Sequence, residues 1–214
     1  MRKVTFGLTL ALLFVGVSAA QEWEVGGMAS YGFYRNATAV NPSGSATVGF
    51  DPGPAFGAVL GFNGNSILGG EFHYDFEMDD LKLSSAGTNV SFGGQAHVIG
   101  YDLILHPRTR HLRKLQPFLA LGGGMKVYVG TGAEQAYQNL EDFALLSKTH
   151  QVAPMISVGG GVKIPLKAHL LLRAEFHDYI TPFPQNVIVP VPPTKINGWL
   201  NDFVPMIGIS YIFE

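Results

Sequence analysis

The chain has 214 residues, of which 47% are hydrophobic, 12% aromatic and only 14% charged, with 27 Gly, no Cys and a formal net charge of −2. Globular proteins average about 25% charged residues and about 7% Gly. Low charge with many aromatics excludes disorder, abundant Gly excludes a coiled coil, the lack of Cys excludes a disulfide framework or thiolate zinc, and the near-neutral balance implies no nucleic-acid face.

In chain order, Arg2 and Lys3 precede an uncharged apolar run from Val4 to Val17, and Ser18-Ala19-Ala20 puts small residues before Gln21. This is the layout of a secretory signal peptide. Its apolar core is shorter than the ~20 residues of a spanning helix. Cleavage is expected after Ala20, with Ala19 the alternative, so residues 1–20 are the leader and 21–214 a single domain. No later uncharged apolar run reaches the length of a spanning helix, so any membrane is met by strands.

Eight segments follow with period-two alternation. Residues 23–35 set Trp23, Val25, Ala29, Tyr31 and Phe33 against Glu24, Gly26, Met28, Ser30 and Gly32. Residues 55–63 put Phe56, Ala58, Leu60 and Phe62 on one face. Residues 67–78 alternate Phe72, Tyr74, Phe76 and Met78 with Glu71, His73, Asp75 and Glu77. Residues 89–98 set Val90, Phe92, Ala96 and Val98 against Ser91, Gln95 and His97. Parity then flips to Tyr101, Leu103 and Leu105 against Asp102, so a bulge is expected near Ile99-Gly100. Residues 118–130 set Leu119, Leu121, Met125, Val127 and Val129 against Gly122, Gly124 and Lys126. Residues 152–164 set Ile156, Val158, Val162 and Ile164 against Ser157 and Lys163, with Gly159 and Gly161 making room on the second face. Residues 169–179 set Leu170, Leu172, Ala174 and Phe176 against Arg173, Glu175 and His177, and 203–213 set Ile207, Ile209, Tyr211 and Phe213 against Gly208 and Ser210.

These strands match the ~9–11 residues that span a bilayer and exceed the ~5–6 of an average strand. Connections alternate, long around 36–53, 131–150 and 181–202, short at 63–66 and 165–168. The predicted fold is all-β, an eight-stranded antiparallel transmembrane up-and-down barrel with apolar residues toward lipid. Trp23, Tyr31, Phe33, Tyr74, Phe76, Tyr101, Tyr128, Tyr179, Tyr211 and Phe213 are expected in aromatic girdles. The rival is a secreted soluble barrel of lipocalin type, whose apolar face is inside.

The pattern resembles the small eight-stranded bacterial outer-membrane barrels, of the OmpA membrane domain and OmpX kind. The sharpest match is the end, where Gly208, Tyr211 and Phe213 fit the terminal Gly-x-x-aromatic-x-Phe signal. The resemblance implies that the barrel-assembly machinery reads this signal. Here Glu214 follows the Phe, where the family ends on the aromatic. It also implies an outer-membrane location, with outer-membrane lipid and lipopolysaccharide as surroundings.

An eight-stranded lumen is just wide enough for side chains. Glu71, His73, Asp75, Glu77, His97, Lys126, Lys163, Arg173, Glu175 and His177, with Glu24 and Asp102, are predicted to face it as a polar network. Acids and bases in one closed interior should pair. The excess of acids leaves a narrow cation path as the sharper alternative. Arg108, Arg110, Arg113 and Lys114 form a basic turn expected at the periplasmic end, facing solvent or anionic headgroups. Residues 133–148 place Ala136, Leu140, Phe143 and Ala144 at near-helical spacing, predicting a short helix over the mouth. Residues 187–193 form an apolar Pro-rich stretch, so loops 131–150 and 181–202 are candidate surfaces for a ligand.

The expected function is therefore a non-enzymatic outer-membrane barrel with a structural or surface-interaction role and no cofactor or metal. The alternative is a small channel or hydrophobic-solute carrier, and a surface hydrolase comes third. Asp79-Asp80 and His177-Asp178 resemble the site of omptin proteases, but that family has ten strands. Ser157 and His177 share the inward face of adjacent strands, though no motif supports a nucleophile.

Overall fold

The computed structural model describes residues 22–63, 67–106, 115–135, 137–196 and 198–213. The leader and the basic turn with Arg108, Arg110, Arg113 and Lys114 lie outside the described residues. The strands are β1 (Glu22–Arg35), β2 (Ala37–Asn41), β3 (Gly44–Phe50), β4 (Gly53–Asn63), β5 (Leu68–Glu77), β6 (Leu81–Ser85), β7 (Thr88–Phe92) and β8 (Gly94–Leu105). Then come β9 (Gln116–Gly130), β10 (Ala144–Leu146), β11 (His150–Pro165), β12 (Leu170–Pro182), β13 (Ile188–Pro190), β14 (Lys195–Ile196) and β15 (Trp199–Phe213).

Eight of these close a barrel in the order β1-β15-β12-β11-β9-β8-β5-β4, every neighbour antiparallel. Closure leaves no edge among them, which is what a strand solution in lipid requires. Along β1 the side chains of Trp23, Val25, Tyr31 and Phe33 are exposed while Glu24 and Met28 are buried. The same inversion holds on β5, β9, β12 and β15, so the outside is apolar and the inside carries the ionisable groups. Trp23, Tyr31, Phe33, Tyr74, Tyr211 and Phe213 stand on the outer face. Tyr128 and Tyr179 were expected there too, but both point into the barrel and are 1% exposed.

The long connections are not loose loops. They build a five-stranded sheet in the order β14-β2-β3-β6-β7, and a β10–β13 ribbon. Together these form a cap over one mouth. Its apolar core joins Val48, Phe50, Leu83, Phe143, Leu146, Ile188 and Ile196 to the top of the barrel at Ala96, Tyr128 and Leu200. The β6–β7 hairpin turns at Ala86 and Gly87, both in the left-handed region at φ 48° and 83°. That pair of positive φ values is what a tight type I′ turn demands.

Three expectations change here. The helix over 133–148 does not form: the described residues make turns and then β10, and Phe143 and Ala144 enter the cap core. The Pro-rich stretch is only partly surface: Val187 and Ile188 are fully buried and β13 pairs with β10, while Val189, Pro192 and Pro193 are exposed. No bulge occurs at Ile99-Gly100. Instead the chain breaks at Gly93, with β7 in the cap and β8 unbroken in the barrel.

Candidate functional site

The inward side chains form three polar layers. In the layer nearest the short turns, Arg173 is wholly buried. Its Nη1 donates to Glu24 Oε1 at 2.9 Å, its Nη2 to Glu71 Oε2 at 2.7 Å, and its Nε to Glu175 Oε1. Lys163 Nζ donates to Glu24 Oε2 at 2.6 Å, and Ser210 Oγ to Glu24 Oε1 at 2.6 Å. Buried carboxylates and cations satisfy one another at hydrogen-bond distance, the condition under which charge survives out of water. Phe118 lies beneath, its ring 6.0 Å from the Arg173 guanidinium, and packs with Ile104 and Ala120 to close that end.

The middle layer is built on two histidines. Ser157 Oγ donates to Asp102 Oδ2 at 3.1 Å and lies 3.3 Å from His177 Nδ1. His177 Nε2 faces Glu175 Oε2 at 3.4 Å, while His73 Nδ1 is 3.6 Å from Asp102 Oδ2. Tyr179 donates to Asp75 Oδ2 at 2.8 Å and its ring stacks on His73. Gly100 faces the His73 ring at a distance where any Cβ would collide with it. Met28, Val59, Val98, Met155, Val204 and Met206 fill the rest of this level.

In the layer beneath the cap, Lys126 Nζ meets Glu77 Oε2 and Asp202 Oδ2, each at 2.5 Å, and donates to Tyr34 Oη at 2.9 Å. Tyr34 donates to Asp79 Oδ2 at 2.6 Å. Asp79 lies in the connection above β5, where burial, and then the Glu77 charge, push its carboxyl up to about 7. The Tyr128 hydroxyl lies 2.6 Å from Thr181 Oγ1 and its ring stacks on Phe50 of the cap, 5.0 Å between centroids.

The structure thus brings together Glu71, His73, Asp75, Glu77, Lys126, Lys163, Arg173, Glu175 and His177 inside the barrel. It does not bring in His97. That residue is on the outer face, with Nδ1 2.9 Å from the Tyr74 hydroxyl and its ring 5.3 Å from Phe76. Tyr34, Asp79 and Asp202 join the network without having been expected in it. Asp202 shares even parity with Val204, Met206 and Ser210, the signal by which β15 could have been extended upward.

The candidate catalytic groups are buried or dispersed. Ser157, His177 and Asp102 do meet, but Ser157 is fully buried in a packed lumen. Asp102 shares His177 Nδ1 with the serine and accepts from its hydroxyl, while Glu175 meets Nε2 at 3.4 Å, so a serine–histidine–acid alignment is present but sealed inside the barrel. Asp79 points inward, Asp80 accepts from Gly94 N, and Asp178 turns outward to Asn201, so the Asp79-Asp80 pair and the His177-Asp178 unit do not form one site. Among the described residues no three His, Asp or Glu side chains are placed to hold a metal. On β15, Gly208 takes the inward parity, while Tyr211 and Phe213 are exposed and pack edge to face at 5.0 Å.

The outer membrane protein OprG of Pseudomonas aeruginosa superposes with a TM-score of 0.62 at 14% identity, over 93% of this chain and 98% of that one. Neisserial surface protein A superposes with a TM-score of 0.54 at 15% identity, over 91% of this chain and all of that one. The chain has the small outer-membrane β-barrel fold. No protein-family model matches it, and no curated protein matches it in sequence. In this chain charged pairs and packed side chains fill the lumen.

Proposed function

We propose that the protein is a non-enzymatic β-barrel of the bacterial outer membrane, plugged along its lumen, with its cap turned outward as a structural or surface-interaction element. The observation that carries this is the pairing of the inward charges, Arg173 and Lys163 with Glu24 and Glu71 and Lys126 with Glu77 and Asp202, between apolar closures at both ends. A plug of this kind has no use for solvated permeation, and a sealed serine has no substrate. The leader takes the chain across the inner membrane, and Gly208, Tyr211 and Phe213 are the signal for barrel assembly. The basic turn of Arg108, Arg110, Arg113 and Lys114 then meets the inner-leaflet headgroups.

A planar-bilayer recording of the refolded mature chain tests the plug. The expected result is no steady single-channel conductance, and regular conductance steps overturn it. Heat-shifted mobility on gels and folding that requires detergent test the membrane reading, and a folded chain soluble in plain buffer overturns it.

A further inference from the structure

The five-stranded cap sheet ends on β7, which pairs with β6 and with no other described strand. An antiparallel edge strand turns the N–H and C=O of alternate residues away from its one partner. Proteins normally blunt such an edge with charge, proline or a bulge. Residues Thr88–Phe92 hold none of these. A cleft of about 380 Å³ runs along this edge, with Asn89 to Gly93 on one side and Gln135, Gln138 and Asn139 on the other.

The far wall is fixed. Gln138 Nε2 donates to Leu146 O at 2.8 Å, Leu146 N donates back to Gln138 Oε1, and Lys148 N donates to Glu134 Oε1. The end of the slot is fixed too, since Thr131 N and Gly132 N both donate to Gly93 O. Among the described residues lining the cleft none is ionisable. Gln135 and Gln138 also line a second cleft of about 360 Å³, which carries Glu134 and Glu141. The one ring in the first cleft, Phe92, is buried in the cap core, so no aromatic platform is offered to a sugar.

We infer that the open edge of β7 is a docking slot for one extended, uncharged polypeptide segment of a partner, followed by basic residues that meet Glu134 and Glu141. Main-chain pairing supplies the affinity in strand addition, and the Gln135 and Asn139 side chains of the far wall contact the guest's second edge. This rests on the proposal that the cap is a surface-interaction element.

The test uses refolded mature protein in detergent micelles, its folding checked by heat-shifted mobility so that failure of the slot is distinct from failure of the barrel reading. The probe is a pool of end-blocked peptides with random Ser, Thr, Asn, Gln and Val followed by lysines. Amide exchange in residues 88–92 is expected to slow by about tenfold or more. The same pool N-methylated at alternate positions is expected to protect at least about tenfold less, and a pool ending in glutamates less than the lysine pool. Absence of protection at 88–92, or equal protection by the N-methylated pool, overturns the proposal. Protection by neutral oligosaccharides alone, or by self-association without peptide, overturns it too, assigning the edge to a glycan or to a second copy.

Discussion

The barrel and its cap solve the same problem with opposite materials. Between Phe118 and Tyr34 the interior is ionic, and the exterior is apolar. Above Tyr34 the order reverses: Phe50, Leu83, Leu146 and Ile188 are inside, and polar side chains such as Thr88, Asn89 and Ser91 are outside. A sheet has two faces, and whichever solvent surrounds it decides which one is apolar. Within one chain the reversal marks the level at which lipid gives way to water. The Tyr128–Phe50 stack joins the two regimes.

If the lumen is held by charge, removing one cation is the heaviest blow. Arg173→Met leaves Glu24, Glu71 and Glu175 buried with Lys163 alone. Breaking a buried ionic cluster this way costs about 3–5 kcal/mol. Urea unfolding in detergent should show that loss across the whole barrel. Changing Glu71 and Glu175 to Gln in the same chain, with Glu24 kept to pair with Lys163, should recover most of it, because the uncompensated charge goes with them. No recovery would mean that packing, not charge, holds this layer.

The cap should fail separately and more gently. Leu83 is fully buried in the cap core. Leu83→Ala carries the about 2–5 kcal/mol of a core truncation, but drawn from the cap alone. Proteolysis within residues 78–93 and 131–149 is expected to accelerate while the heat-shifted mobility of the barrel stays unchanged. Loss of both together would make cap and barrel one cooperative unit.

At the boundary sits Asp79. Its carboxyl, pushed up to about 7 in the folded chain, has a free value near 4. The folded state therefore holds this proton more tightly than the unfolded one. The contribution is complete below about pH 4 and is lost as pH rises through about 7. Asp79→Asn escapes that loss, so it should gain a few kcal/mol over the parent at pH 8 and little at pH 4. Unfolding midpoints at the two pH values check this, and a pH-independent difference would contradict it.

Most of the barrel was legible because lipid imposes a simple rule on alternating residues. Residues 71–77 and 172–177 give both faces at a glance, and that the inward acids and bases pair follows from their shared side, although their individual partners do not. The rule misled where its premise lapsed. Val90, Phe92, Ala96 and Val98 read as one lipid-facing row with a flip after them. In the structure Phe92 and Ala96 join the cap core, Val98 packs in the lumen beside Met155, and Asp102 keeps the same parity with no flip. Apolar meant inward there, because the upper interior is the apolar cap itself. The lumen positions of Asp79 and Asp202 were not legible for a related reason. Both sit where barrel strands run on into cap connections, and no period marks that junction. The two-stranded and five-stranded pairings of the cap depend on contacts between remote connections, which no local pattern carries.

His97 gives the smallest and most discriminating test of the comparison. An inward His97 would occupy a filled lumen, and His97→Phe would then overpack it at a cost of about 1–3 kcal/mol. On the outer face, between Tyr74 and Phe76, the new ring meets lipid and its aromatic neighbours. The Tyr74 hydroxyl loses one partner near the interface, where headgroups and water replace it. The change should stay within about 0.5 kcal/mol, as for other surface substitutions. An unfolding midpoint unchanged from the parent places β8 in its unbroken register, whereas a large shift would restore the flip at Ile99-Gly100 and with it a polar lumen reaching higher than the cap allows.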